Sequence, residues 1–158
     1  MFKIEVYTKK EFNTTYAQQI LSDINQVIQS QITKINCSFI YTIEGDIDKR
    51  QIDIICSKLL TDPITEEYCY QNIKQYIFNT KWIIIEVWYK NGVTDTVAET
   101  VVKAVKDLGI TNKIRVKRGY KYYLYSPNKK IQDYTLHVMS RVCLCNVLIQ
   151  DYIIKKYQ

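Results

Sequence analysis

Glycine and proline are scarce. Four glycines and two prolines among 158 residues leave few places for the backbone to break, so long regular elements are expected. The glycines, Gly45, Gly92, Gly109 and Gly119, stand alone, which excludes a glycine-rich phosphate cradle. A single histidine and five scattered cysteines make a weak case for a Cys–His nucleophile pair. No apolar run approaches the roughly 20 residues of a membrane helix. Met1-Phe2-Lys3-Ile4-Glu5 sets an acid where a signal peptide wants its apolar stretch, so a cytoplasmic location is expected. An odd number of cysteines in such a chain points to reduced thiols and away from a disulfide framework. Cys143-x-Cys145 with His137 nearby matches no zinc signature, and a structural zinc takes four ligands. No metal, cofactor or membrane association is expected.

What remains is the composition of an ordinary folded domain, 47% apolar and 24% charged, long enough to bury a sizeable core. Twenty-two basic against sixteen acidic residues give a net charge of +6, which favours acidic partners.

The organising stretch is Ile85-Glu86-Val87-Trp88-Tyr89-Lys90-Asn91-Gly92-Val93-Thr94-Asp95, followed by Thr96 to Ile110. It reads as strand, glycine turn and capped helix. Ile4-Glu5-Val6-Tyr7 with Lys9 repeats its first part 81 residues earlier, and Thr15-Tyr16-Ala17-Gln18 falls on Thr96-Val97-Ala98-Glu99. Both four-residue pieces read as capping boxes opened by the threonine.

Phe2 to Thr8 predicts a strand. Tyr16, Ala17, Ile20, Leu21, Ile24, Val27 and Ile28 make a helical stripe. Ile35 to Ile43 returns to strand character, Asp46 or Asp48 caps a second helix carrying Ile52, Ile55, Cys56, Leu59 and Leu60, and Pro63 stops it. Thr65 to Tyr70 closes the first copy. In the second, strands are predicted from Trp82, over Ile114–Tyr125 and over Gln150–Tyr157. The helix after Asp95 shows Val97, Val101, Val105 and Leu108, flanked by Ala98 and Val102, and ends at Gly109. Ser126-Pro127 reads as the start of another, whose inner side is Ile131, Tyr134, Val138, Val142 and Cys145. The two endings, Leu59 to Tyr68 and Cys143 to Tyr152, align only with three residues inserted in the second copy, near Ser126 to Lys130. The expected fold is therefore α+β: two tandem β-α-β-α-β repeats, 1–72 and 82–158, joined by a connection at 73–81. Each is a small, mainly antiparallel sheet with helices on one face. The apolar sheet surfaces are expected to bury each other as a pseudo-twofold pair.

Four pieces in order carry a resemblance: Lys90-x-Gly92-Val93-x-Asp95, Leu108-Gly109-Ile110, Val116-x-Arg118-Gly119-x-Lys121, and Leu144-Cys145-Asn146-x-Leu148-Ile149-x-Asp151-Tyr152. Together they resemble the PurS family, the small subunit or duplicated N-terminal domain of phosphoribosylformylglycinamidine synthase. Val147 and Gln150 depart from the proline and glutamate of the family's ending. The resemblance implies a part of an ATP- and glutamine-dependent ligase of purine biosynthesis that supplies no catalytic residue itself. Its implied partners are the synthetase and glutaminase of that enzyme, with a homo-oligomer also in view, and its implied work is to bridge them for ammonia transfer. Lys90, Asp95, Arg118, Lys121 and Asn146 are the candidate partner interface.

A rival reading comes from Lys113, Arg115, Lys117, Arg118 and Lys121 interleaved with Tyr120, Tyr122, Tyr123 and Tyr125. Aromatic rings beside cations on a strand can stack the bases of single-stranded RNA. The plainer reading is a strand with Tyr120, Tyr122 and Leu124 on one face and Lys117 and Lys121 on the other. Asp95 reads most simply as support for a helix N-terminus, His137 as a half-exposed side chain, and Glu66-Glu67 as solvated acids at a strand end.

Overall fold

Among the described residues of the computed structural model, six strands join one sheet, in the order β3-β1-β2-β5-β4-β6. The structure describes residues 1–9, 15–28, 32–70, 82–111, 113–127 and 131–156; the predicted connection at 73–81 lies outside them. The strands are β1 (Phe2–Thr8), β2 (Lys34–Gly45), β3 (Glu66–Tyr70), β4 (Trp82–Tyr89), β5 (Ile114–Tyr125) and β6 (Gln150–Lys156). Between them run α1 (Thr15–Val27), α2 (Lys49–Ile55), α3 (Thr96–Asp107) and α4 (Asp133–Met139). Both α2 and α4 finish in a π-helical turn, Cys56–Leu60 and Ser140–Leu144. Among the described residues no helix is long and apolar enough to cross a membrane.

Every ladder is antiparallel, and the two halves use the same register. Ile4 pairs with Tyr41, and Ile85 with Tyr122, each 81 residues on. Val6 pairs with Tyr68, and Val87 with Tyr152, a separation of 84 for the closing strand, as three inserted residues require. The halves meet along β2 and β5, paired from Lys34–Tyr125 to Gly45–Ile114. The Phe39 and Tyr120 rings pack 5.6 Å apart in the middle of that seam.

This seam corrects the expected packing. The two three-stranded units join edge to edge, not face to face. Twelve-residue strands such as β2 and β5 otherwise leave a long row of unpaired backbone groups, and pairing them satisfies the row. Cross-strand partners share a face, so Ile4, Tyr41, Tyr122 and Ile85 all point to one side, and the four helices cover it. Two cores result, and each mixes the halves. Ile20 and Ile24 of α1 pack with Leu136 and Met139 of α4 over Ile85, Tyr122 and Leu124. Val101 and Val105 of α3 pack with Ile52 and Ile55 of α2 over Ile4, Val6 and Ile43.

The helix ends differ in detail from expectation. Asp48 caps α2 through a reciprocal pair with Gln51, as read. For α3 the cap is Asp95, not Thr96, which is already helical; a carboxylate accepts the third-residue N–H better placed than the hydroxyl one step on. The first helix begins at Thr15 itself, so Thr15 too is already helical. Gly109 has φ +83° and closes α3, its N–H donating to Lys106 O, as a left-handed C-terminal residue should. Ser126 and Pro127 do not open α4, which starts at Asp133 after Gln132; Ser126 is buried at the end of β5. The inner side of α4 is accordingly Leu136, Met139 and Leu144, while Tyr134 and Val142 are exposed. The α1 and α3 stripes are rotated too: Tyr16, Val27, Val97 and Leu108 face out, and Ala17, Ile20, Ile24, Ala98, Val101 and Val105 face in.

Candidate functional site

The loop from β4 to α3 shapes a shallow cleft. Lys90 ends the strand with its N–H donating to Ile149 O, and Val93 N–H donates back to Lys90 O at 3.1 Å. Gly92, at φ +88°, takes the turn an L residue resists. Asp95 then divides its carboxylate: Oδ1 accepts from Ala98 N at 3.0 Å and Oδ2 from Arg118 N at 3.1 Å. One acid thus caps α3 and ties it to β5. The cleft has a volume of about 420 Å³, with Trp88, Lys90, Asn91, Arg115, Lys117 and Arg118 among its walls.

Arg118 lies against two rings, its guanidinium carbon 4.2 Å from the Phe39 centroid and 5.0 Å from that of Tyr120. Burial disfavours its charge, but Tyr120 and Tyr41 beside it outweigh that and raise its pKa. Its Nε is buried without a hydrogen-bond partner. Lys117 Nζ reaches Asn91 Oδ1 at 3.1 Å, and Arg115 lies 3.8 Å from Glu44.

Lys90 links the cleft to the ending turn. Its Nζ donates to Val147 O at 2.6 Å and stands 4.0 Å from Asp151. Within that turn Asn146 Oδ1 accepts from Leu148 N, and Asn146 N donates to Gln150 Oε1. The other half builds the same turn from other residues. Asp62 Oδ1 accepts from Ile64 N, Asp62 N donates to Glu66 Oε2, and Lys9 Nζ donates to Pro63 O at 2.8 Å.

Of the five candidate interface residues, Lys90, Asp95 and Arg118 line the cleft, and Asn146 joins it through Lys90. Lys121 does not. It points to the opposite side of the sheet, 1% exposed, with its ammonium 2.7 Å from Glu5 Oε2. Glu5 also accepts from Ser38 Oγ at 2.7 Å and from the Tyr123 hydroxyl. Glu86, the matching residue of β4, is buried too and accepts from Lys3 and Lys155. Burial alone pushes the Glu86 carboxyl up, but those two lysines more than offset it and hold it below the usual range. The sequence reading passed over this pair of acids. The available signal was the Ile-Glu-Val that both strands share, a glutamate between apolar neighbours at the same place.

Tyr120 and Tyr122 of β5 do not form an open stacking face. Tyr122 is buried under α1, 3.5 Å from the Tyr16 hydroxyl, and Tyr120 faces the same helix-covered side. Burial pushes the Cys37 and Cys56 thiols up to about 12, so they stay protonated and unreactive near neutrality. His137 is exposed, with Nδ1 2.8 Å from the Tyr152 hydroxyl. Among the described residues no group of three or more His, Cys, Asp and Glu is placed to hold a metal.

A family model, PurS, described as phosphoribosylformylglycinamidine (FGAM) synthase, matches residues 83–158. No curated protein matches the chain.

Proposed function

We propose, from the match of residues 83–158 to the PurS family model of FGAM synthase, that the whole chain is a non-catalytic connector of this purine-biosynthetic enzyme. In this reading residues 1–72 are a first PurS-like repeat, residues 82–158 a second, and 73–81 the join. The observation that best supports it is the matched construction of the two ending turns. A lysine, Lys9 or Lys90, holds the matching carbonyl in each half, and Asp62 in one and Asn146 in the other hold the matching amide. Shared geometry under changed sequence is what a duplicated unit leaves behind.

The connector holds the ATP-using synthetase and the glutaminase together, so that ammonia released from glutamine passes between them without meeting bulk water. Its contribution is geometry: one sheet, two mixed cores and buried ion pairs running between the halves make a stiff spacer. It works in the cytoplasm and carries no bond-making residue. Lys90, Asp95, Arg118 and Asn146 belong to its partner-facing surface, Asp95 and Asn146 by shaping the loops that partners meet.

Sedimentation velocity tests the reading. The chain, mixed with the synthetase and glutaminase of its own enzyme, is expected to move as one complex containing all three. A chain that sediments apart from both refutes it.

A further inference from the structure

β6 ends one side of the sheet, and among the described residues no strand pairs with its outer edge. Lys90 N–H donates to Ile149 O, so by antiparallel alternation Asp151, Ile153 and Lys155 turn their backbone groups inward to β4. Tyr152, Ile154 and Lys156 turn theirs outward. Gln150 also faces out, but the turn has taken it: its N–H donates to Asn146 O and its carbonyl accepts from the Cys145 thiol. Such a row of free backbone groups is a template for another strand.

The side chains select which strand. Asp151, Ile153 and Lys155 share the face away from the helices, across from Trp88, Glu86 and Ile84. Asp151 is 72% exposed, with Lys90 4.0 Å away. Lys155 shares Glu86 with Lys3, two cations on one acid. Ile153, between Asp151 and Lys155, is 49% exposed.

Laid antiparallel on itself about Ile153, β6 sets Asp151 against Lys155 of a second copy, and Lys155 against that copy's Asp151. Ile153 meets its own counterpart on the axis, where side chains of a non-hydrogen-bonded pair come closest. The outward residues fall opposite each other too, Tyr152 against Ile154, and exchange both hydrogen bonds of an antiparallel pair. Opposite charges placed this way stabilise a ladder, and the lysines at Glu86 gain a second acid. The other outer edge, β3, does not match itself: centred on Tyr68, it sets Glu66 against Tyr70 and Glu67 against Cys69. Laid on β6 it offers Glu67 to Lys155, but over a shorter ladder, and that contact leaves an edge free at each end and builds an open chain. We propose that β6 is a self-complementary edge at which two copies of this chain join about a twofold axis through Ile153, merging their strands into one sheet. The joint involves the chain alone and stands whether or not the chain connects other proteins.

Sedimentation equilibrium of the full-length chain over a concentration series tests this. The mass is expected to rise from 18.8 kDa to twice that value and stop. Ile153→Lys sets like charges face to face on the axis, while Glu86 across the ladder accepts the new cation within each chain. It is expected to weaken the dimer about tenfold. Asp151→Lys, at an exposed site, is expected to weaken it similarly by facing Lys155 with a second cation. Under mild oxidation Ile153→Cys is expected to give a cross-linked dimer and Asp151→Cys is not, because only position 153 meets itself. Circular dichroism melts identify any variant that has lost its fold, and the exposed position 151 suffices if 153 does not tolerate change. A mass that stays at one chain overturns the proposal, and so does a mass that climbs without limit, the mark of β3–β6 chains. Wild-type dimerisation in both lysine variants overturns it, as does cross-linking of Asp151→Cys as readily as of Ile153→Cys.

Discussion

Lys121 and Glu5 bind the two halves through an ion pair that water hardly reaches, with side chains 1% and 4% exposed and 2.7 Å between charges. Removing one partner strands the other. In Lys121→Met the Glu5 carboxylate keeps Ser38 and Tyr123 as donors but loses its counter-charge, and breaking a buried pair in this way costs about 3–5 kcal/mol. The retained donors favour the lower half of that range. The double variant Glu5→Leu/Lys121→Met removes both charges and is expected to recover most of the loss, since apolar replacement of a buried pair is often neutral. Urea unfolding followed by circular dichroism measures each corner of the cycle, and a domain of this size shifts its Tm by about 2–4 °C per kcal/mol. The single variant should therefore melt roughly 6–16 °C lower. A single variant within about 1 kcal/mol of wild type, or a double variant worse than the single, refutes the picture of a dry charge pair pinning the halves.

Three further outcomes follow from the same geometry. Gly119→Ala sets a methyl 2.5 Å from Val87 O and 2.8 Å from the Trp88 ring; overpacking of this kind costs about 1–3 kcal/mol, read as a lower urea midpoint at unchanged slope. Asp95→Ala removes both the α3 cap and the tie to Arg118 N, at about 1–2 kcal/mol, and hydrogen exchange should quicken at Ala98 and Arg118 first. The Glu86 carboxyl is lowered in the fold by Lys3 and Lys155 against the push of burial, so the unfolded chain binds the proton more readily. Its contribution is complete above an ordinary carboxylate value of about 4.3 and is lost as pH falls through the lowered one. The acid limb of the stability profile should flatten in Glu86→Gln, and an unchanged limb would contradict the assignment.

Most elements were legible in the chain because their signals are local. Alternation marks β1 and β4, Pro63 and Gly109 punctuate α2 and α3, and Asp48 with Gln51 announces its own cap. The repeat offset was legible too, and the ladders follow it through Ile4–Tyr41 and Ile85–Tyr122. The joining of the halves was not. An apolar alternation in β2 is the same whether its free edge meets water or β5, so edge pairing leaves no mark on periodicity. The helix faces erred by one position where two apolar residues adjoin, as Val97 and Ala98 do, since a helix turns about 100° per residue and either neighbour fits the stripe. Of the candidate site, Lys90, Asp95 and Arg118 come together as a cleft. Lys121 was assigned by its motif to a surface, and only tertiary structure reveals that its charge is consumed by an acid 116 residues away.

The measurement closest to the central claim is product formation by the purified synthetase and glutaminase, driven in turn by glutamine and by free ammonia. Adding the chain is predicted to raise the glutamine-driven rate and leave the ammonia-driven rate unchanged, because a connector improves delivery and not chemistry. Equal glutamine-driven rates with and without the chain would contradict the account.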